Sequence, residues 1–222
     1  MDPRILSDLL ADVPAQGAAG LDSPVTGIAY RSDAVRAGDA FFCVRGMVHD
    51  GHDFAPDAAS RGASVVVVAH ELEDVSVPQV LVGDPRAALA LASARFFGAP
   101  SERLRVVGVT GTNGKTTTTH LLESIVRAAG LRAGLIGTVE TRIGGHAEPA
   151  GRTTPESRDL QELLARMRDA AVDVVAMEVS SHAIQLDRVE GVRFAIAAFT
   201  NLSQDHLDFF EFIEFEFDIV KV

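Results

Sequence analysis

Residues 104–130 read LRVVGVTGTNGKTTTTHLLESIVRAAG: a run of β-branched residues breaks into glycines, a lysine and four threonines, then resumes as an amphipathic helical pattern that stops at Gly130. A strand that passes through such a loop straight into a helix lets successive backbone N–H groups wrap a phosphate, with the positive end of the helix dipole facing it. The glycines let the backbone turn and approach a ligand closely. On this reading the loop Thr110-Gly111-Thr112-Asn113-Gly114-Lys115-Thr116 cradles a nucleoside triphosphate. Lys115 sits on the β- and γ-phosphates, and the Thr116 hydroxyl is a ligand of Mg2+. The usual spacing puts a first glycine five residues before Gly114, where this chain has Val109, so the strict consensus is missed at one position.

The rest of the pattern sets this loop in an α/β protein. Short apolar runs at 40–44, 64–69 and 80–82 read as strands of a small α/β unit, followed by a helix that Asp84 caps, Pro85 opens and Gly98 ends. A boundary falls near residue 100. Beyond it come a strand at 104–110, a helix at about 115–129, a strand at 133–137, a helix at 155–171, and strands at 173–178 and 193–199. That alternation predicts a mostly parallel sheet with helices on both faces.

Composition narrows the functions. The net charge of −11, from 31 acidic and 20 basic residues, argues against nucleic acid or an anionic membrane surface as partner and favours a small substrate. No run approaches the length of a membrane span and the amino terminus has no signal-peptide order, so a cytoplasmic location is expected. A single cysteine, Cys43, lies in the apolar run AFFCV and reads as core.

Two further signals fall at strand ends of the same predicted sheet, where ligands of open α/β sheets gather. Glu178, in VDVVAMEVSSH, can reach the magnesium that Thr116 holds. Ser180 after it reads either as a helix cap or as part of a binding site. His206, in FTNLSQDHLD, reads as a holder of a second metal ion or a phosphate, or as a surface residue.

The motifs GVTGTNGKTTTTHLLE, RTTPES, MEVSSHAIQLDRV and FTNLSQDHLDF, in that order, resemble the Mur ligases, and specifically the MurE type. The loop without a glycine at 109 is the family's own form. The stretch VTGIAYRSDAVRAGDAFFCVRGMVHDGHDF resembles the family's first domain. The resemblance implies a UDP-sugar-binding domain over residues 1–100 and an incomplete central ATP-binding domain over 101–222, with a third domain absent. It implies ATP on Gly111 to Thr117, magnesium on Thr116 and Glu178, and a second ion with help from His206. Tyr30, Ser32 and Met47-Val48-His49 match positions that contact the uridine nucleotide, and Thr153, Thr154, Ser180 and Arg188 match positions that contact the rest of that substrate. The implied reaction is ATP-dependent addition of a diamino acid, meso-diaminopimelate or lysine, to UDP-N-acetylmuramoyl-L-alanyl-D-glutamate through an acyl phosphate, with Lys115, Glu178 and His206 as the catalytic set.

Three departures accompany the resemblance. The family's usual Asp-Ser-Arg is Arg31-Ser32-Asp33 here. Its modified lysine falls at Ile219, with Lys221 two residues late. The chain also stops within the central domain, which implies no turnover alone and an uncovered sheet edge unless another chain supplies the rest. Other readings are a non-catalytic nucleotide-binding module, half of a split enzyme, a degenerate product that does not fold stably, or another ligase of the superfamily such as a folylpolyglutamate synthase.

Overall fold

The computed structural model describes residues 3–203. They divide between Gly98 and Ala99 into two units, each with its own core.

The first unit contains β1 (Arg4–Ile5), α1 (Leu6–Leu9), β2 (Ala15–Gln16), α2 (Ala18–Leu21), β3 (Pro24–Val25), β4 (Gly27–Ala29), β5 (Asp39–Phe42), α3 (Ala55–Ser60), β6 (Val65–Val68), β7 (Gln79–Val82) and α4 (Pro85–Phe96). Its sheet has the order β2-β7-β6-β5-β4, parallel except for β2, while β1 and β3 pair antiparallel as a separate ribbon. Every residue of β5 and β6 is buried; apart from Asp39 at the start of β5 they form continuous apolar runs, the pattern of strands covered on both faces. Phe41, Cys43, Val66 and Val68 form one core with Ala55 and Ala58 of α3. Burial pushes the Cys43 thiol up to about 12. α4 starts where Asp84 accepts from the Arg86 and Ala87 amides at 2.7 and 3.4 Å, with Pro85 in the first turn.

The second unit contains β8 (Arg105–Thr110), α5 (Lys115–Ala128), β9 (Ala133–Ile136), β10 (Glu140–Ile143), β11 (His146–Pro149), α6 (Ser157–Asp169), β12 (Val174–Glu178), α7 (Ser181–Gln185) and β13 (Phe194–Phe199). The sheet order is β11-β10-β9-β12-β8-β13, with β9, β12, β8 and β13 parallel and the β10–β11 hairpin antiparallel at one edge. Leu160, Leu164 and Met167 of α6 pack on Val106, Ile136, Val175 and Met177. Alternation along β12 turns Ala176 and Glu178 to the opposite face, where α5 lies.

Two features of this unit differ from the sequence pattern. α5 turns Thr119 and Glu123 inward and leaves Leu121 and Ile125 59% and 63% exposed, the reverse of a simple apolar stripe. Its inner polar groups have partners: the Thr119 hydroxyl donates to the Thr116 carbonyl at 3.0 Å, and Glu123 meets Arg142 at 3.4 Å and Arg127 at 3.6 Å. The hairpin β10–β11 was not expected, so the sheet is mixed. At the other edge, β13 exposes Ile196 and Phe199. Among the described residues no helix is long and apolar enough to cross a membrane.

Candidate functional site

β8 ends at Thr110 and α5 begins at Lys115, so the four residues between them form the loop. Val109 is buried within β8, in register with Glu178 of β12 and Ala198 of β13; a glycine there would serve no turn. The turning is done by Gly111 at φ +125° and Gly114 at φ +87°. A Cβ on Gly111 would lie 2.8 Å from the Asn201 carbonyl oxygen and closer still to the Thr200 hydroxyl. The first bond of the helix runs from the Thr118 amide to the Gly114 carbonyl at 2.9 Å. By helix geometry the amides of Lys115, Thr116 and Thr117 therefore precede the intrahelical ladder and point forward, the arrangement that receives an anion. The Lys115 ammonium folds back onto the loop, donating to the Gly111 carbonyl at 2.5 Å and the Thr112 carbonyl at 3.0 Å.

Glu178 is 1% exposed, and its carboxylate is the hub of the site. Oε2 accepts from the Thr116 hydroxyl at 3.0 Å and the Thr138 hydroxyl at 3.1 Å, while Oε1 accepts from the Thr138 amide at 2.9 Å. The Thr138 and Thr153 hydroxyls are 3.0 Å apart, which brings a third hydroxyl to the group. Carboxylate and hydroxyl oxygens on a strand end beside a phosphate loop are the hard donors that suit Mg2+, so the residues present fit that ion.

Thr154 is buried and clamps the exit of β12, donating to the Glu178 carbonyl at 2.9 Å and accepting from the Ser180 amide at 3.1 Å. Ser180 caps α7, its hydroxyl accepting from the Ala183 amide at 3.2 Å. Arg188 reaches the same turn: Nε lies 3.4 Å from the buried Glu156 carboxylate and Nη1 3.4 Å from the Thr154 carbonyl. Thr116, Thr153, Thr154, Glu178, Ser180 and Arg188 are thus gathered by direct and shared contacts. His206 lies outside the described residues, as does Lys221.

Sequence reasoning missed the residues that hold the loop from the far side. Asn201, just past β13, accepts from the Asn113 amide at 3.1 Å through its side-chain oxygen and donates to the Asn113 carbonyl at 3.0 Å through its side-chain nitrogen. Its own carbonyl accepts from the Thr112 amide at 2.9 Å. The Thr200 hydroxyl sits 2.7 Å from the Asn113 carbonyl, and Ser203 exchanges hydrogen bonds of 2.9 and 3.0 Å with Thr112. Thr138 was missed too. The signal available for Thr200 and Asn201 was their place at a strand exit within FTNLSQDHLD.

In the first unit, Arg31 and Asp33 pair with each other at 2.6 Å on the surface, and the Arg31 hydrogen bond holds the Asp33 carboxyl below the usual range. Ser32 between them donates to Asp57, which is the main reason the Asp57 carboxyl also lies low. Tyr30 is half-buried at the end of β4. Met47, Val48 and His49 form the exposed tip of a loop that closes on itself between Gly46 and His49, whose amide and carbonyl are 2.8 Å apart.

A strand, a glycine loop, a helix start whose first amides precede the intrahelical ladder and a buried strand-end carboxylate form the arrangement by which α/β domains receive phosphate groups. Comparison with known proteins makes this specific. Residues 109–216 match the Mur ligase middle domain and residues 24–97 the domain described as "Mur ligase family, catalytic domain". The chain belongs to the Mur ligase family, a family of ATP-dependent ligases. It is 50% identical over 190 residues to the UDP-N-acetylmuramoyl-L-alanyl-D-glutamate--2,6-diaminopimelate ligase of Geobacillus thermodenitrificans, a match covering 86% of this chain and 39% of that protein. With the ligase of the same name from Clostridium perfringens it shares 47% over 197 residues, covering 87% and 40%. A solved structure of such a ligase superposes with a TM-score of 0.79 at 26% identity, covering 93% of this chain and 42% of that one. A MurF ligase from Thermotoga maritima in complex with ADP shares the fold, with a TM-score of 0.56 at 24% identity, covering 83% and 39%. The chain spans about two fifths of the length of the curated relatives it matches.

Proposed function

We propose that this chain is the uridine-nucleotide- and ATP-binding part of a cytoplasmic ligase that extends UDP-N-acetylmuramoyl-L-alanyl-D-glutamate by a diamino acid, 2,6-diaminopimelate being the one in its relatives' names. Residues 1–100 take the UDP-sugar and the following residues take ATP. The observation that carries the reading is the Glu178 carboxylate, buried and shared by the Thr116 and Thr138 hydroxyls at the head of the phosphate loop.

In this reading the free amides at the start of α5 receive the β- and γ-phosphates. Lys115 leaves the Gly111 and Thr112 carbonyls for the more strongly attracting phosphate oxygens. Thr116 and Glu178 would hold Mg2+, which when bound would supply charge neutralisation between the triphosphate and the substrate carboxylate. That carboxylate forms a bond to the γ-phosphorus as the bond to ADP breaks. An amine of the diamino acid then forms the amide as phosphate leaves and the nitrogen gives up a proton. Thr153, Ser180 and Arg188, tied to Glu178 through Thr138 and Thr154, would orient the carboxylate, and alignment of two anions is most of what these residues have to achieve.

Calorimetric titration of Lys115→Ala with ATP–Mg2+ and with UDP-N-acetylmuramoyl-L-alanyl-D-glutamate tests the assignment. ATP binding should weaken while uridine-nucleotide binding stays within about twofold, since one net charge-assisted contact is confined to one site. Equal loss of both ligands would sink the two-site reading.

A further inference from the structure

The loop from Arg45 to Asp50 displays Met47 and Val48, 75% and 85% exposed, and its base is fastened by a histidine that the family resemblance assigns no role. His52 is itself 8% exposed. Its Nε2 lies 2.9 Å from the Ala69 amide nitrogen. A backbone N–H can only donate, so Nε2 must carry a lone pair. The ring's one proton is then on Nδ1, 2.6 Å from Asp50 Oδ1, and it donates to that carboxylate. The same oxygen accepts from the His52 amide at 3.0 Å.

The two ends of the imidazole thus join different parts of the unit. Ala69 directly follows β6, which lies between β5 and β7. Asp50 closes the loop: it forms a β-bridge with Arg45, and its Oδ2 stands 3.4 Å from Arg45 Nε. Arg86 of α4 donates to the Arg45 carbonyl at 2.9 Å. The His70 ring stacks on His52 with centroids 4.5 Å apart and planes 20° from parallel, restricting the ring from its face.

We propose that His52 is a positioning residue for uridine-nucleotide binding: a neutral imidazole in the Nδ1–H form that fixes Asp50 and, through it, the loop bearing Met47, Val48 and His49. The inference rests on the reading of that loop as part of the uridine-nucleotide site. An imidazole with Nε2 protonated would set a donor against the Ala69 amide, and the link from β6 to the loop would open.

Two measurements on the whole chain decide it. Long-range 1H–15N correlation of the imidazoles should show His52 with an unprotonated Nε2 and a proton on Nδ1; the other tautomer or an imidazolium at neutral pH overturns the proposal. Titration with UDP at low temperature, where all variants are folded, should then separate positioning from stability. His52→Asn keeps a group near Asp50 but cannot reach Ala69, and His52→Gln reaches toward Ala69 but leaves Asp50. Each should weaken UDP binding about tenfold, the scale of one lost hydrogen bond to a charged or buried partner. ATP binding by both variants should stay unchanged. Wild-type binding of UDP with equal binding by both variants overturns the role of His52 alone. Failure of the wild type to bind UDP overturns the uridine reading and this inference with it.

Discussion

The Thr116 hydroxyl donates to Glu178 Oε2 at 3.0 Å across 62 residues of sequence, joining the first turn of α5 to the carboxyl end of β12. The contact puts an alcohol and a carboxylate oxygen within reach of one cation beside the loop. Glu178→Gln preserves shape and lets the Thr116 and Thr138 hydroxyls rotate to new partners, so cooperative unfolding should survive with a loss of about 1 kcal/mol. The charge, however, is gone. The magnesium-dependent part of ATP affinity should fall by more than the roughly 10–100-fold that losing a supporting residue costs a metal site. Titrations of ATP with and without Mg2+ check this; an unchanged magnesium effect would remove Glu178 from the metal site.

Asn201 brackets the Asn113 peptide from both sides, at 3.1 and 3.0 Å. Asn201→Ala should free that peptide to rotate and so raise the entropy lost when the loop closes on phosphates. Two hydrogen bonds at an exposed position, each worth about 0.5–1.5 kcal/mol, predict ATP affinity lower by roughly tenfold and a nearly unchanged melting temperature. Uridine-nucleotide binding should be unaffected. Equal ATP affinity in the variant would show that the loop holds its shape without this clasp.

How far the sequence disclosed all this depends on how local each cause is. The loop, its flanking strand and helix, and Glu178 at a strand end were legible because each follows from a few consecutive residues. Thr138 and Asn201 were not, since their roles arise where the chain returns 40 and 88 residues away in sequence to meet Glu178 and Asn113. The hairpin β10–β11 is a different case. Ile143 pairs with His146 around Gly144 and Gly145, at φ +56° and +96°, and a Gly-Gly pair between short alternating segments is a hairpin signal that could have been read. The exposed Leu121 and Ile125 escaped because helical period alone does not say which face turns inward; Arg142 and Arg127 draw Glu123 there instead.

Asp50 supplies a pH prediction. The hydrogen bond from the His52 amide lowers its carboxyl below the ordinary 3.8, against a smaller opposing effect of burial, with the His52 ring and Arg45 adding to the lowering. A depressed folded value means stability that is present above the unfolded value and lost as pH falls through the folded one. The gap in melting temperature between wild type and Asp50→Asn should therefore be widest at neutral pH and close only as the pH falls through the folded value of Asp50, below the ordinary 3.8, where both carry an uncharged group. Other carboxylates titrate in both proteins and cancel. A gap that stays constant through that fall would mean that Asp50 is not held low.

Cys43 is fully buried and its thiol is pushed up to about 12, so at pH 8 almost none of it is thiolate. A thiol reagent should therefore react only as fast as the first unit opens, and adding denaturant should raise the rate in step with unfolding. Fast labelling in native buffer would contradict the packed core around β5.

Gly111 and Gly145 both have positive φ, +125° and +96°, yet they differ in what surrounds them. A Cβ on Gly145 meets nothing within 4 Å, whereas one on Gly111 would press into the Asn201 carbonyl at 2.8 Å and the Thr200 side chain. Gly145→Ala should carry only the backbone strain of a left-handed alanine, about 1 kcal/mol, and leave ATP binding intact. Gly111→Ala carries similar strain and must also push the 200–201 segment off the loop, which undoes the hydrogen bonds to Thr112 and Asn113. Its ATP affinity should fall at least as far as that of Asn201→Ala, and combining the two substitutions should add little further, because both remove the same clasp. A double variant whose losses simply add would show that Gly111 acts on the phosphates directly and not through Asn201.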